Sequence, residues 1–376
     1  MNLVLCIEYQ LPSHISMKNT IPSVIVVLIF LTGCEKPYDI NSLPPVTNVA
    51  TSSDTTYIQK GEWTGFSNPQ AILYGLDQLF YVADTYNDRI VVLDQAGTVR
   101  GTLNGIGRPL CLAQDNRLDL LIGAQYVDQA TQDTIGIVYR VKMVDAHHQI
   151  ASARIDTVLR DRSYPKRRYV GIAITINDEF LVVSDGPDNT SPVKPDSRVL
   201  RFKYIKIDSV TYKDTLITPL GEFQAGSGIS ITNLNHPTGI ATFPNSQDFV
   251  LVQTSDGIQY STVWMTFTVL TDFQGWMPKY DPALVTGIDF IRPNRFKDAR
   301  GVTIDQSRRD IFIVDAALDS IVKFNSRGRF KPESFGGKSP GISLNHPTGI
   351  AVAENTLYVC DSGNNRIVLY KLSTDR

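Results

Sequence analysis

One heptapeptide occurs twice in this chain, as Asn235-His236-Pro237-Thr238-Gly239-Ile240-Ala241 and as Asn345-His346-Pro347-Thr348-Gly349-Ile350-Ala351. Self-similarity at long period marks a supersecondary unit used repeatedly, each copy burying its apolar face against the next. Weaker copies anchor on the same Gly-Ile-Ala core. They begin at Asn68-Pro69-Gln70, Arg108-Pro109-Leu110, Arg168-Tyr169-Val170 and Asp298-Ala299-Arg300, which makes six copies in all.

The residues downstream of each copy define the unit. After the last comes Leu357-Tyr358-Val359-Cys360-Asp361, a Ser-Gly-Asn-Asn turn, and Arg366-Ile367-Val368-Leu369-Tyr370. Two β-rich runs around residues that supply positive φ and local side-chain hydrogen bonds predict a hairpin. Phe80 through Leu93 repeats the pattern, and so does Ile311 through Phe324. In the third copy a Pro- and Asp-rich insertion separates Asp185 from Arg198. With an outer run such as Gly101-Thr102-Leu103 or Phe330 to Phe335, each unit holds four strands, the size of a propeller blade. Hydrophobic content of 42% with 16 Tyr and 16 Phe suits strands, and no convincing amphipathic helix interrupts the repeats.

At these residues the chain resembles the NHL-repeat family, whose pattern runs Pro-x-Gly-Ile-Ala and then a strand ending Ala-Asp-Ser-Gly-Asn-Asn-Arg-Ile. The resemblance covers most of residues 66–376 and is fullest in the last copy. It implies an all-β, six-bladed β-propeller over residues 55–376, and it leaves function open, because one fold hosts enzymes, binding modules and scaffolds. The stretch from Pro347 to Arg376 has room for three strands, which would leave the last blade with an unpaired edge. Thr55 to Trp63 reads as the missing outer strand, so the N-terminal segment is expected to close the ring beside Ile367 to Leu372.

Residues 17–34 combine Lys18, an apolar run and small residues before Cys34. That pattern predicts a secretory signal over residues 1–33, with translation starting at Met17. Leu31-Thr32-Gly33-Cys34 resembles a bacterial lipobox, which implies lipidation at Cys34 and a tether over residues 34–54 in the cell envelope, at the outer membrane. The alternative is an uncleaved anchor with an incidental cysteine. Cys111 and Cys360 fall on non-adjacent blades and are expected as buried thiols rather than a disulfide. A formal net charge of −2 argues against nucleic acid as a partner. The basic run Arg160 to Arg168 and the insertion over residues 185–198 are expected as solvated loops.

The positions after the inner-strand proline, or its equivalent, should face the central channel. They are Gln70, Leu110, Val170, Thr238, Arg300 and Thr348. In the peptidyl-hydroxyglycine amidating lyase, which the chain resembles in fold, zinc-binding histidines stand there. Here none does, and the lactonase propellers' oxygen ligands are also missing from these six. No metal and no cofactor is therefore expected, and no catalytic residue is assigned. His236 and His346 precede the proline and are expected to cap turns. Asp84, Asp185, Asp315 and Asp361 are expected to satisfy backbone amides of the turns just beyond them. Arg300 is the one charge among the six. It either anchors an anionic or sugar-acid ligand, with Gln70, Thr238 and Thr348 beside it, or braces Asp298 or Asp305. Trp276 and Tyr280 either pack over a blade junction or offer a platform for a glycan or peptide. The sequence thus favours a ligand- or protein-binding envelope module, or a docking disc in a larger envelope assembly. A metal-assisted lyase or hydrolase at the channel mouth is the rival.

Overall fold

The runs that read as continuous apolar stretches become the second strand of each blade, buried on both faces because neighbouring blades cover them. The computed structural model describes residues 55–190, 195–209, 211–217, 234–254, 260–272, 274–280, 288–337, 339 and 341–374. Cys34 and the tether lie outside these, as does Phe273.

The N-terminal strand β1 is Tyr57–Trp63. Blade 1 is β2 (Pro69–Tyr74), β3 (Phe80–Asp84), β4 (Arg89–Leu93) and β5 (Val99–Asn104), and blade 2 is β6 (Cys111–Gln114), β7 (Leu120–Val127), β8 (Thr134–Lys142) and β9 (Arg154–Arg160). Blade 3 is β10 (Arg168–Ile174), β11 (Glu179–Asp185), β12 (Arg198–Lys206) and β13 (Tyr212–Leu216). Blade 4 is β14 (Pro237–Thr242), β15 (Phe249–Gln253), β16 (Thr262–Val269) and β17 (Gln274–Pro278). Blade 5 is β18 (Ala299–Ile304), β19 (Ile311–Asp315), β20 (Ser320–Phe324) and β21 (Phe335–Gly336). In blade 6, β22 (Ile350–Ala353), β23 (Thr356–Asp361) and β24 (Arg366–Leu372) are completed by β1, giving the order β1-β24-β23-β22.

Closure therefore takes the expected route, with Tyr57 opposite Leu372 and Trp63 opposite Ile367. The side chains of β1 also fasten the neighbours. Tyr57 packs on Phe312 and Phe335 of blade 5, and Trp63 packs on Phe80 of blade 1 and Tyr358 of blade 6. The buried apolar clusters lie at the blade junctions, as where Phe80, Val82, Tyr358 and Cys360 meet. The outer strand of blade 5 is shorter than the sequence suggested. Phe330 keeps only a single bridge to Phe324, because Pro332 donates no amide and Gly336 and Gly337 turn to positive φ.

The glycine of Pro-x-Gly-Ile-Ala has a packing cause. A Cβ on Gly349 would lie 2.8 Å from Ala71 Cα and from Gln70 O, and one on Gly239 would lie 2.9 Å from Arg300 O. At Gly301 the added atom would fall inside the contact shell of Thr348 O. Inner strands of blades 4, 5, 6 and 1 thus pass backbone to backbone around the channel. Gly301→Ala is expected to cost about 1–3 kcal/mol by overpacking, read as a lowered urea midpoint at unchanged slope.

Three of the four recurring aspartates brace blades 1, 5 and 6, mainly through amides other than those expected. Asp84 accepts from Ser67 N at 2.6 Å and Asp361 from Asn345 N at 2.7 Å, both in the segment entering the inner strand. Asp315 accepts from Lys297 N, Asp298 N and, in the next turn, Leu318 N. Arg89 and Arg366 pair with Asp84 and Asp361 at 2.7 and 2.8 Å.

Two expected surface loops are instead locked together. Arg167, 1% exposed, reaches Asp196, 3% exposed, with contacts of 3.0 and 2.9 Å, and stacks on Tyr164. A buried guanidinium must be paired, so the basic run and the insertion supply each other's counter-charge.

Candidate functional site

The six inner strands converge on a central cavity of about 220 Å³, and Gln70, Leu110, Val170, Thr238, Arg300 and Thr348 all line it. Register explains this: in blades 1, 3, 4 and 5 a bulge near the start of the inner strand turns the residue inward, while Leu110 and Thr348 stand just ahead of β6 and β22.

Their chemistry differs. Thr348 Oγ1 lies 3.2 Å from Pro69 O and 2.6 Å from Ser362 Oγ, and Thr238 Oγ1 donates to Ala299 O at 2.6 Å. Both hydroxyls are spent tying one blade to the next. Gln70 Nε2 donates to Asn68 Oδ1 at 2.7 Å. Arg300 is 42% exposed, and its Nε stands 2.7 Å from Asp298 Oδ1. That oxygen accepts no aligned hydrogen bond, so the approach is a charge contact. Among the described residues the two Nη groups of Arg300 have no partner.

A second charged group enters the cavity, at a place that the aspartate pattern of the sequence disguises. By residue type Asp185 matches Asp84, Asp315 and Asp361. Register shows otherwise: Ala71 pairs with Ala83, Gly171 with Val183, and Gly239 with Val252. Ser184 is therefore the counterpart of Asp84, and Asp185 is the counterpart of Thr85, Thr254, Ala316 and Ser362. A shift of one residue along a strand moves a side chain to the other face. Thr85 and Ser362 use that position to donate to the proline carbonyl of the next blade, Pro109 O and Pro69 O. Asp185 instead accepts from the next blade, taking His236 Nδ1 at 3.0 Å, and from Ser197 Oγ at 3.1 Å, both on its Oδ1. Burial raises its pKa above the ordinary carboxylate range, against the lowering effects of His236 and Ser197. It is the one carboxylate lining the cavity among the described residues.

The two copies of the heptapeptide then diverge. His236 and His346 both hold positive φ, as do Asn68 and Arg108 at the same point of blades 1 and 2, so the turn role belongs to the repeat. His236 has a carboxylate partner because blade 3 offers Asp185. The facing position of blade 5 is Ala316, and among the described residues His346 is held by its backbone N–H alone, on Asp319 Oδ1 at 2.7 Å. Asp185–His236 is thus a feature of one blade junction. The histidine side chain is 42% exposed, so its ring is open to hydrogen bonding with a bound molecule.

Other candidates resolve differently. Trp276 is 7% exposed, sits in β17 and donates from Nε1 to Gln247 O at 2.8 Å, so it packs rather than offering a platform. Tyr280 stands edge-on to Trp264 and donates to Arg327 O. Cys111 and Cys360 are free and buried, and burial pushes the Cys111 thiol up to about 12. A cavity of about 290 Å³ beside Tyr57 and Phe335 is larger than the central one, but it lies at the rim between two blades and no ring of side chains converges on it. Among the described residues no three His, Cys, Asp or Glu gather as a metal-ligand set.

The NHL repeat family matches residues 344–370, the closing blade. No curated protein matches the chain. Among solved structures, an auxiliary nutrient binding protein from Bacteroides thetaiotaomicron is 13% identical, with a TM-score of 0.53 over 82% of this chain and 70% of that one. A gluconolactonase from Xanthomonas campestris is 12% identical, with a TM-score of 0.53 over 87% of this chain and 93% of that one. A glucose dehydrogenase is 12% identical, with a TM-score of 0.54 over 84% and 98%. At such identities the likeness establishes the propeller fold and nothing of the chemistry.

Proposed function

Taking as premise a six-bladed β-propeller whose closing blade is an NHL repeat, we propose that the chain is a binding module of the bacterial envelope. Its channel mouth takes a small organic anion, and a lipid on Cys34 holds it at the outer membrane. The observation that carries the binding reading is Arg300. It stands in the central cavity with both Nη groups unpartnered among the described residues, ready for a bidentate carboxylate contact. A cavity of about 220 Å³ suits a molecule smaller than those filling typical pockets of about 300–1,000 Å³. Gln70 adds amide hydrogen-bonding capacity, whereas Thr238 and Thr348 contribute shape. A nutrient-binding protein among the structural neighbours agrees with this reading, and the enzymes among them do not decide against it.

Titration of propionate into the purified protein tests it. Arg300→Ala is expected to weaken binding at least about ten-fold, or about 1.4 kcal/mol, without changing the unfolding midpoint. Equal affinity in the variant would remove Arg300 from the site.

The Asp185–His236 pair favours a second reading, a lyase or hydrolase in which His236 moves the proton. Elemental analysis showing one metal per chain, lost on His236→Ala, would replace the binding reading with the metal-assisted enzyme.

The anchor has its own test. Two or more acyl chains hold a protein stably at a bilayer, since each buried CH₂ contributes about 0.8 kcal/mol. Cys34→Ser is expected to release the protein from the membrane fraction or to leave an unprocessed precursor. Unchanged retention with a cleaved, unmodified N-terminus would exclude lipidation.

A further inference from the structure

Among the described residues, Arg300 of blade 5 and Asp185 of blade 3 are the two charged side chains lining the central cavity, and they are opposite in sign. Every other blade places a neutral residue at the position of Asp185: Thr85, Gln125, Thr254, Ala316 and Ser362. A carboxylate at this one junction is not needed to build a blade. Its surroundings also differ from those of the buried aspartates. Asp84 and Asp361 are fully buried and have an arginine within 2.8 Å. Asp185 keeps 26% of its side chain exposed, and its one ion-pair partner among the described residues is a histidine. Both side-chain hydrogen bonds fall on Oδ1, which leaves Oδ2 without a side-chain partner among the described residues. Ser197 is itself buried and fixes the carboxylate from behind.

We propose that the cavity binds a zwitterion of amino-acid size, its carboxylate on Arg300 and its ammonium on Asp185. The proposal rests on the anion-binding reading of Arg300 and adds the second pole. A half-buried carboxylate lacking a full counter-charge gains most from a ligand that brings one, and a neutral hydroxyl brings none. The 3.0 Å contact of His236 Nδ1 with Oδ1 orients the carboxylate.

L-Alanine and L-lactate are nearly equal in size and differ by an ammonium in place of a hydroxyl. Titrated into the full chain by calorimetry, alanine is expected to bind at least about ten-fold tighter than lactate. Asp185→Asn should erase that preference while lactate binding persists, and Arg300→Ala should weaken both. Lactate binding as tightly as alanine, still dependent on Arg300, would overturn the zwitterion and leave the anion site standing. Loss of alanine binding in Asp185→Asn together with an equal loss for lactate would also overturn it, since the carboxylate would then be shaping the cavity. If neither ligand binds in an Arg300-dependent way, both readings fall.

Discussion

A chain lacking residues 55–63 is expected to lose its cooperative unfolding transition and to self-associate. Those residues form the outer strand of blade 6, and their side chains reach into three blades: Tyr57 onto blade 5, Trp63 onto blades 1 and 6. Glu62 is also lost from Arg366, a contact of 2.6 Å. Truncating one large buried aromatic costs about 3–5 kcal/mol, and Tyr57 is 6% exposed. Against a total stability of about 5–15 kcal/mol, losing that anchor and an entire strand leaves little margin. The stripped β24 would present an unpaired edge, a template for pairing with another chain. Thermal melting monitored by circular dichroism, together with size-exclusion chromatography, reads both effects. A monodisperse protein with an unchanged transition would show that the ring does not depend on its closing strand.

The second large effect sits between blades 2 and 3. Arg140, 1% exposed, contacts Asp115 and Asp214 and lies 3.3 Å from Asp119; Lys142 reaches Asp119 and the Tyr204 hydroxyl, each at 2.7 Å. Desolvation opposes the arginine's charge, yet the hydrogen bonds and charges of Asp214 and Asp115 prevail and raise its pKa. Arg140→Ala would leave three buried carboxylates with only Lys142 and the part-exposed Arg117 beside them, at an expected cost of about 3–5 kcal/mol. Arg100 and Asp94 provide the contrast. They stand 2.6 Å apart, but the arginine is 59% exposed, and Arg100→Ala should cost less than about 1 kcal/mol. Urea unfolding of the two variants compares them, and similar midpoints would show that burial does not set the worth of these pairs.

The ring is legible in the sequence because its cause is local and repeated. Gly-Ile-Ala or a degenerate form of it marks the inner strand in each copy, and at Gly239, Gly301 and Gly349 a neighbouring backbone passes too close for a larger residue. The same anchor locates the six channel positions. The closing strand is legible from an absence, a final unit with room for only three strands. Asp185 is not legible by alignment on aspartate, because Ser184 occupies the bracing position and the insertion after it hides the shift. Counting forward from Gly171, as from Ala71, places it at the channel. The Arg167–Asp196 lock is beyond reach for another reason: it joins two irregular segments with no periodicity to say that they meet. For Trp276 the composition of the segment does not decide between packing and display. Burial against Phe249 and Phe267 decides it.

Whether the channel mouth is a ligand site organised by Arg300 is tested most directly by native mass spectrometry of the protein purified from its own cells. About one small acid-bearing molecule per chain is expected, retained by the wild type and absent from Arg300→Ala. A bound molecule that survives in Arg300→Ala, or a metal ion in its place, would contradict it.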